Sequence, residues 1–366
     1  MNLRTISISI FAFLPVLISS QAPAPDFLTV TAVGDVLMGT TYPVTILPPR
    51  DGAELFGSVA QFLRQGEIVF GNLEGPLIDD GTPSKCGKNN VTPQQHCFEF
   101  RMPSRYAKHL KEAGFNVLSI ANNHSLDFGR EGLESTINSV TSEGIQVVGG
   151  RYVAAFRIRG KQIALIGFSY LGEGINSYSM LDIQRAREIL RRTRTYADHV
   201  VVSFHGGAEG KEAVEITQGE ETYRGERRGN PVAFARAMIE AGATLVLGHG
   251  PHVPRPLEIY KGKLIVYSLG NFVAYGVMNT KGPSGLSFIL QVKLDMATGD
   301  FLGGRIVSVE LKGRGIPAVD PSKKALNLLK ELSATSPFEG RPRFGQNGEL
   351  FPTNPPARRP TVSPEQ

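Results

Sequence analysis

Cysteine is nearly absent from this chain of 366 residues: there are two, Cys86 and Cys97. So few thiols exclude a disulfide-dense scaffold and a four-thiolate zinc site. Long apolar runs are missing too. The N-terminal one, Ile6 to Ile18, is broken by Ser7, Ser9 and Pro15 and is too short to span a bilayer comfortably. No basic motif interleaved with aromatics appears, so no nucleic acid is expected as a partner. No segment repeats, and no linker is strong enough to force two domains. What is present is ordinary for a globular protein with a sizeable core: 41% hydrophobic and 20% charged residues.

The net charge is +5 and the pI about 9.1, but the basic residues are scattered. The densest group is Arg185, Arg187, Arg191, Arg192 and Arg194, interrupted by Glu188 and flanked by Asp182 and Asp198. A solvated helix face is the simplest reading; a strip facing a polyanion is the alternative. At the N-terminus, Arg4 precedes the apolar run, and Ser19, Ser20, Ala22 and Ala24 follow it. Residues 1–20 read as an export signal cleaved near Ser20, with a retained anchor as the alternative. No Cys stands at the junction, which argues against a lipid anchor. The expected location is the periplasm, the envelope or the exterior. In such an oxidising compartment Cys86 and Cys97 read as a local disulfide, stabilising by about 3 kcal/mol in the chain-entropy model. Zinc held with His96 is the rival reading.

Apolar runs then alternate with helical patterns, the mark of an α/β sandwich. Strands are expected at Phe27–Val33, Ile68–Phe70, Val117–Ala121, Gln146–Val148, Ile163–Phe168, Val200–Phe204, Thr244–Leu247, Leu286–Leu294 and Arg305–Leu311. A β-hairpin is expected at Leu257–Tyr260 and Leu264–Tyr267 around Lys261-Gly262-Lys263. Helices are expected at Glu54–Arg64, Ser104–Glu112, Arg130–Ser142, Asp182–Tyr196, Val232–Ala241 and Pro321–Leu332, with Ser104 and Gly114 capping the second. One domain over 26–334 and a disordered Pro- and Arg-containing tail over 335–366 complete the chain.

Polar and metal-capable residues follow the carboxyl ends of successive strands: Asp35, Asn72 and Glu74, Asn123 and His124, His205, then His249 and His252. Ligands of α/β sheets bind in the crevice beyond those ends. Each residue alone has a plainer reading. Asp35 can cap a turn, Asn72 can satisfy loop backbone, Glu74 can pair with an arginine, and His205 can be a hydrogen-bonded structural histidine. The pair in Gly248-His249-Gly250-Pro251-His252-Val253 points most strongly to a bound ligand. Asp127 can orient His124, cap the next helix, or both. His96, His109 and His199 are bystanders. Oxygen donors and imidazoles without thiolate suit manganese, iron or zinc. Two such ions can clamp an oxyanion and activate a water.

Six segments carry a resemblance. They are Gly34-Asp35-Val36-Leu37-Met38-Gly39, Gly71-Asn72-Leu73-Glu74-Gly75-Pro76-Leu77, Ala121 to Gly129, Ser203 to Glu209, Gly248 to Val253, and Tyr267 to Phe272. In this order they resemble the signatures of the bacterial poly-gamma-glutamate capsule-synthesis family, the CapA type. The resemblance implies an α/β calcineurin-like metallophosphoesterase fold, mixed β-sheets flanked by helices. It also implies a role in making or exporting poly-gamma-glutamate or a related envelope polymer, beside membrane-bound synthase subunits. By the same resemblance Asp35 and His252 look like ligands of one metal, and Asn72 or Glu74 like the bridge. Asn123, His205 and His249 then look like ligands of a second, and His124 like a general acid. The wider phosphoesterases have a His where this chain has Leu37, and many relatives have Trp at Gly206. Three readings follow: a metal-dependent hydrolase of a phosphoester or an amide-linked polymer, a non-catalytic factor that binds a polyanionic chain, and an extracellular nucleotide phosphatase.

Overall fold

The computed structural model describes residues 26–86 and 97–353; the export-signal segment 1–20, His96 and residues 354–366 lie outside them. Among the described residues, two mixed sheets face each other. The ten-stranded sheet carries the parallel run Phe27–Leu37, Ile68–Leu73, Val117–Ser119 and Gln146–Val148. Leu286–Asp295 and Phe301–Lys312 extend it antiparallel on the other side. The seven-stranded sheet carries the parallel run Lys161–Ser169, His199–His205, Leu245–His249 and Lys263–Val266.

Both parallel runs are apolar on both faces because both faces are covered. Between the sheets, Val30, Phe70 and Val117 of one meet Leu165, Val201 and Leu247 of the other. Outside the first sheet pack Ala107–Ala113 and Gly129–Ser142 through Leu110, Leu133 and Val140. Outside the second pack Ile183–Arg194 and Pro231–Ala241 through Leu190, Phe234 and Met238. The expected α/β architecture of mixed sheets flanked by helices is therefore what the chain forms. Asp182 and Asn230 cap the last two helices, accepting from Arg185 N and Ala233 N at 2.9 Å. Arg185, Arg191, Arg192 and Arg194 point to solvent, as a solvated helix face requires.

Three expectations are corrected. Of Glu54–Arg64, only Ala60–Leu63 is α-helical. Before it, Gly52 and Gly57 weaken helix propensity, and the chain runs in successive tight turns that still bury Leu55, Phe56 and Val59. Ser104 caps nothing, because its hydroxyl donates to Asp79, and the helix starts with a 3-10 turn. Gly114 does close that helix, at φ 112°. Finally, residues 335–353 of the presumed tail are structured. Phe338 is fully buried with its ring 5.0 Å from Tyr267, and Arg343–Phe344 and Glu349–Phe351 add to the edge of Phe301–Lys312. Strands of two and three residues are too short to show a period in sequence.

Register brings the site together. Asp35 pairs across the ladder with Asn72, and Asn72 with Ser119, while His205 lies opposite His249. Each sheet thus presents its polar residues along one edge, and the two edges meet. Gly34 permits a close approach there: a Cβ on it would sit 1.8 Å from the Gly270 carbonyl oxygen, which accepts from Asp35 N at 2.9 Å. Replacing Gly34 by Ala forces backbone apart and should cost about 3 kcal/mol, the upper end for overpacking. Urea denaturation measures it; a loss below about 1 kcal/mol would mean that the Gly270 turn moves aside freely.

Candidate metal centre

Asp35 is fully buried at the bottom of the cleft. Its Oδ1 accepts from Asn72 Nδ2 at 2.8 Å and lies 3.3 Å from His249 Nδ1; its Oδ2 is 3.0 Å from His252 Nδ1. Glu74 is buried beside it, and its Oε1 lies 3.7 Å from His205 Nε2 and 3.6 Å from His252 Nε2. Donor atoms of Asp35, Glu74 and His252 all lie within 4.8 Å of one another. His252 adopts φ 59°, a left-handed conformation uncommon for a residue with a side chain. There its Nδ1 is 3.0 Å from both Asp35 Oδ2 and Asn271 Oδ1. Those acceptors fix the proton on Nδ1 and leave Nε2 for a ligand.

Burial alone would raise the Asp35 carboxyl, but hydrogen bonds and positive charge from His249 and His252 hold it far below the usual range. Glu74 goes the other way: burial and then the Asp35 charge push it well up. His252 rises well above an ordinary histidine because the carboxylates of Glu74 and Asp35 outweigh its burial, whereas burial holds His205 well down.

The donors fit a cation. Both Glu74 oxygens, His205 Nε2, His249 Nε2 and Asn123 Oδ1 are buried without a hydrogen-bond partner. Buried polar atoms left so cost free energy unless something satisfies them, and all of these accept when deprotonated. Asn72 differs, since both its polar atoms are engaged: Nδ2 on Asp35 and Oδ1 on Asn122 Nδ2 at 3.0 Å.

Across the cleft stands His124, whose Nδ1 is 2.8 Å from the buried Asp127 Oδ2. Phe100 N donates to that same oxygen at 2.8 Å, and Lys85 Nζ lies 3.2 Å from Asp127 Oδ1. Burial holds the His124 pKa below its ordinary value, against the pull of Asp127. The Cys86–Cys97 disulfide is formed, with Cα atoms 5.7 Å apart. It joins the arms that carry Lys85 and Phe100, and Glu99 braces them by accepting from Lys85 N and Cys86 N at 2.7 and 2.9 Å. His109 and His199 lie elsewhere, bonded to the carbonyls of Asp51 and Met296.

Sequence reasoning missed four contributors. Asn122 is the hinge of the third strand end: Nδ2 reaches Asn72 and the Leu73 carbonyl, and Oδ1 accepts from the amides of His124 and Ser125. Its place in Asn122-Asn123-His124 was the available signal. Asn271 and Glu209 sit inside quoted segments, and Glu209 Oε2 comes within 4.0 Å of His252 Nε2. Lys85 had no signal beyond its neighbour Cys86.

The chain is similar to known proteins in sequence and in fold. A family model described as bacterial capsule synthesis protein PGA_cap matches residues 29–275. The PGA biosynthesis protein CapA of Bacillus subtilis is 27% identical over 88% of this chain and 82% of its own length. The capsule biosynthesis protein CapA of Bacillus anthracis is 31% identical over 67% of this chain and 59% of its own. A probable polyglutamine synthesis accessory protein of Mycobacterium tuberculosis is 28% identical over 69% and 76%. Among solved structures, a phosphatase from Mycoplasma pneumoniae is 15% identical, with a TM-score of 0.47 over 82% of this chain and 99% of that one.

Because Glu74 and His252 hold protons more tightly than usual, a cation must displace them to bind. Metal binding near pH 7 should release at least one proton, and affinity should weaken as pH falls, about tenfold per unit per proton released. Titration calorimetry in two buffers of different ionisation heat counts the protons; a count of zero would contradict the assigned ligands.

Proposed function

Because the chain belongs to the bacterial capsule synthesis protein PGA_cap family, we propose that it acts in capsule-polymer biosynthesis as a metal-dependent hydrolase of a phosphoester or of an amide-linked polymer. The observation that carries this reading is the ring of buried, unpartnered acceptors on Glu74, His205, His249 and Asn123 around the Asp35 carboxylate. Asp35, Glu74 and His252 are the residues proposed to hold one divalent ion. His205, His249 and Asn123 offer donors for a second. A divalent ion there supplies Lewis-acid polarisation of a substrate oxygen.

The protein's own groups do the rest. Asn72 and Asn271 orient Asp35 and His252 and so hold these two side chains in place. Asp127 takes the Nδ1 proton of His124 as a hydrogen bond and leaves Nε2 as the nitrogen available to the cleft. Burial favours the neutral form of His124, and as a general acid it would take up its proton when an anionic substrate arrives beside it. A polyanionic envelope polymer such as poly-gamma-glutamate is the proposed partner, alongside membrane-bound synthase subunits. The disulfide and the signal-like first residues support an exported protein.

One observation favours the non-catalytic reading. Leu37, where phosphoesterases place a histidine, is fully buried in the core between the ten-stranded sheet and its helices. His249→Ala and His252→Ala should lose bound metal and turnover together. His124→Ala should keep its metal while turnover falls roughly 10²- to 10⁴-fold, the range for loss of a general acid. Elemental analysis beside turnover on p-nitrophenyl phosphate and on poly-gamma-glutamate decides. If His124→Ala loses metal as His249→Ala does, it is a ligand; if all three variants match wild-type turnover, the binding-factor reading replaces the hydrolase.

A further inference from the structure

The charged excursion between Glu209 and Arg228 has no part in the ligand set, yet it is built with care. It ends in a β-hairpin, Glu221–Tyr223 paired antiparallel with Glu226–Gly229. The hairpin is pinned to the sandwich by a buried bidentate ion pair. Arg255, 1% exposed, donates through Nη1 and Nη2 to Glu221 at 3.1 and 2.9 Å, and Ala208 N donates to the same carboxylate at 2.7 Å. Such an anchor fixes the hairpin's angle against the strand end that carries His205.

Its inner residues form one wall of the cleft of about 500 Å³ that also contains His124 and His252. Arg228 is buried there, its guanidinium 4.1 Å over the Tyr170 ring and 5.2 Å from the Tyr223 ring. Glu209 and Glu226 neutralise it, so it stiffens the wall. Arg224 is different. It sits at the hairpin tip with φ 51°, followed by Gly225 at φ 81°. This is the two-residue turn that strongly prefers Asn-Gly or Gly-Gly. Arg159-Gly160 and Lys261-Gly262 make the same turn elsewhere in the chain, so the conformation alone marks nothing; what sets Arg224 apart is its place in the lining of the cleft that holds His124 and His252. Among the described residues Arg224 makes no ion pair, and its guanidinium lies 5.3 Å over the Tyr223 ring.

We propose that the hairpin tip, Tyr223 and Arg224, is a subsite for an anionic group of the substrate, a carboxylate or a phosphate carried beyond the reacting bond. An unpaired guanidinium over an aromatic face binds an oxyanion with its edge and packs the adjoining chain against the ring. The strands Glu221–Tyr223 and Glu226–Gly229 hold this tip in the lining of the cleft that His124 also lines. The subsite rests on the reading of the cleft as a substrate site.

Arg224→Asn tests it without threatening the fold, since Asn suits that turn; Arg224→Lys keeps the charge. Calorimetry on the full-length, manganese-loaded protein uses two probes, a γ-linked glutamate hexamer and tripolyphosphate. Arg224→Asn should weaken one of them about five- to tenfold, while Arg224→Lys stays within about twofold of wild type. A loss with the hexamer assigns the subsite to carboxylate, and a loss with tripolyphosphate assigns it to phosphate. Unchanged affinity for both, or no binding of either by the wild type, overturns the subsite. Turnover of the wild-type protein on the small phosphoester, which carries no second anionic group, judges the hydrolase reading separately.

Discussion

A single buried carboxylate organises this end of the molecule. Asp35 has no solvent exposure, and an ion taken from water into a protein interior is strongly destabilising unless neighbours compensate it. The compensation comes from four directions. Asn72 reaches it from the next strand, His249 from the other sheet, His252 from a strained loop, and the Gly34–Gly270 approach sets its backbone. Each of those residues is itself held by another. Asn122 holds Asn72, and Asn271 shares the His252 proton. Removing the negative charge at Asp35 would leave two imidazoles and an amide without their common acceptor. The strand-end network is therefore cooperative, and its members are coupled rather than additive.

Two sheets are needed because neither edge has the whole set. The ten-stranded sheet supplies the oxygens, from Asp35, Glu74 and Asn123; the seven-stranded sheet and its loops supply the nitrogens, from His205, His249 and His252. Oxygen and nitrogen donors meet only where the sandwich closes, so the centre reports on correct packing of the apolar interior. Val30 and Phe70 of one sheet and Leu165 and Leu247 of the other share the core between the sheets and hold the two edges together. A slip of one residue in either parallel ladder would turn its donors into the apolar layers.

Much of this was legible because ligand sites of α/β sheets lie beyond the carboxyl ends of their strands, and an apolar run followed by Asp, Asn or His is easy to see. The strands bearing His205 and His249 fell where expected and end on those histidines, whereas the strand bearing Asp35 runs on past it to Leu37, with an irregular register between Ala32 and Asp35. What could not be read depended on partners remote in sequence. Asn122 looks like its neighbour Asn123, and only the fold turns one toward Asn72 and the other into the cleft. Glu221 and Arg255 pair across 34 residues with no periodic signal to link them. The Arg343–Phe344 and Glu349–Phe351 strands depend on the edge they join and on the core that receives Leu350, both remote in sequence, so composition described them as unstructured. Glu54–Arg64 failed in the opposite sense: its apolar spacing was right, but burial was achieved with turns.

The unpartnered acceptors have a thermodynamic consequence. Glu74, His205 and His249 leave buried polar atoms unsatisfied, each a loss of about 1–3 kcal/mol relative to a bonded group. That loss is tolerated because the sandwich around them is large and apolar on both sides of each sheet. A ligand that satisfies these atoms in the folded chain alone stabilises it by mass action, about 2.7 kcal/mol at a hundredfold excess over its dissociation constant. The rigid neighbours keep the donors in place at the expense of native-state stability. Relaxing them, for instance by letting Glu74 find an arginine, would stabilise the fold and weaken any hold on a cation. That the chain keeps the strained His252 beside a buried Glu74 whose oxygens have no hydrogen-bond partner is the physical mark of a site shaped for something other than folding.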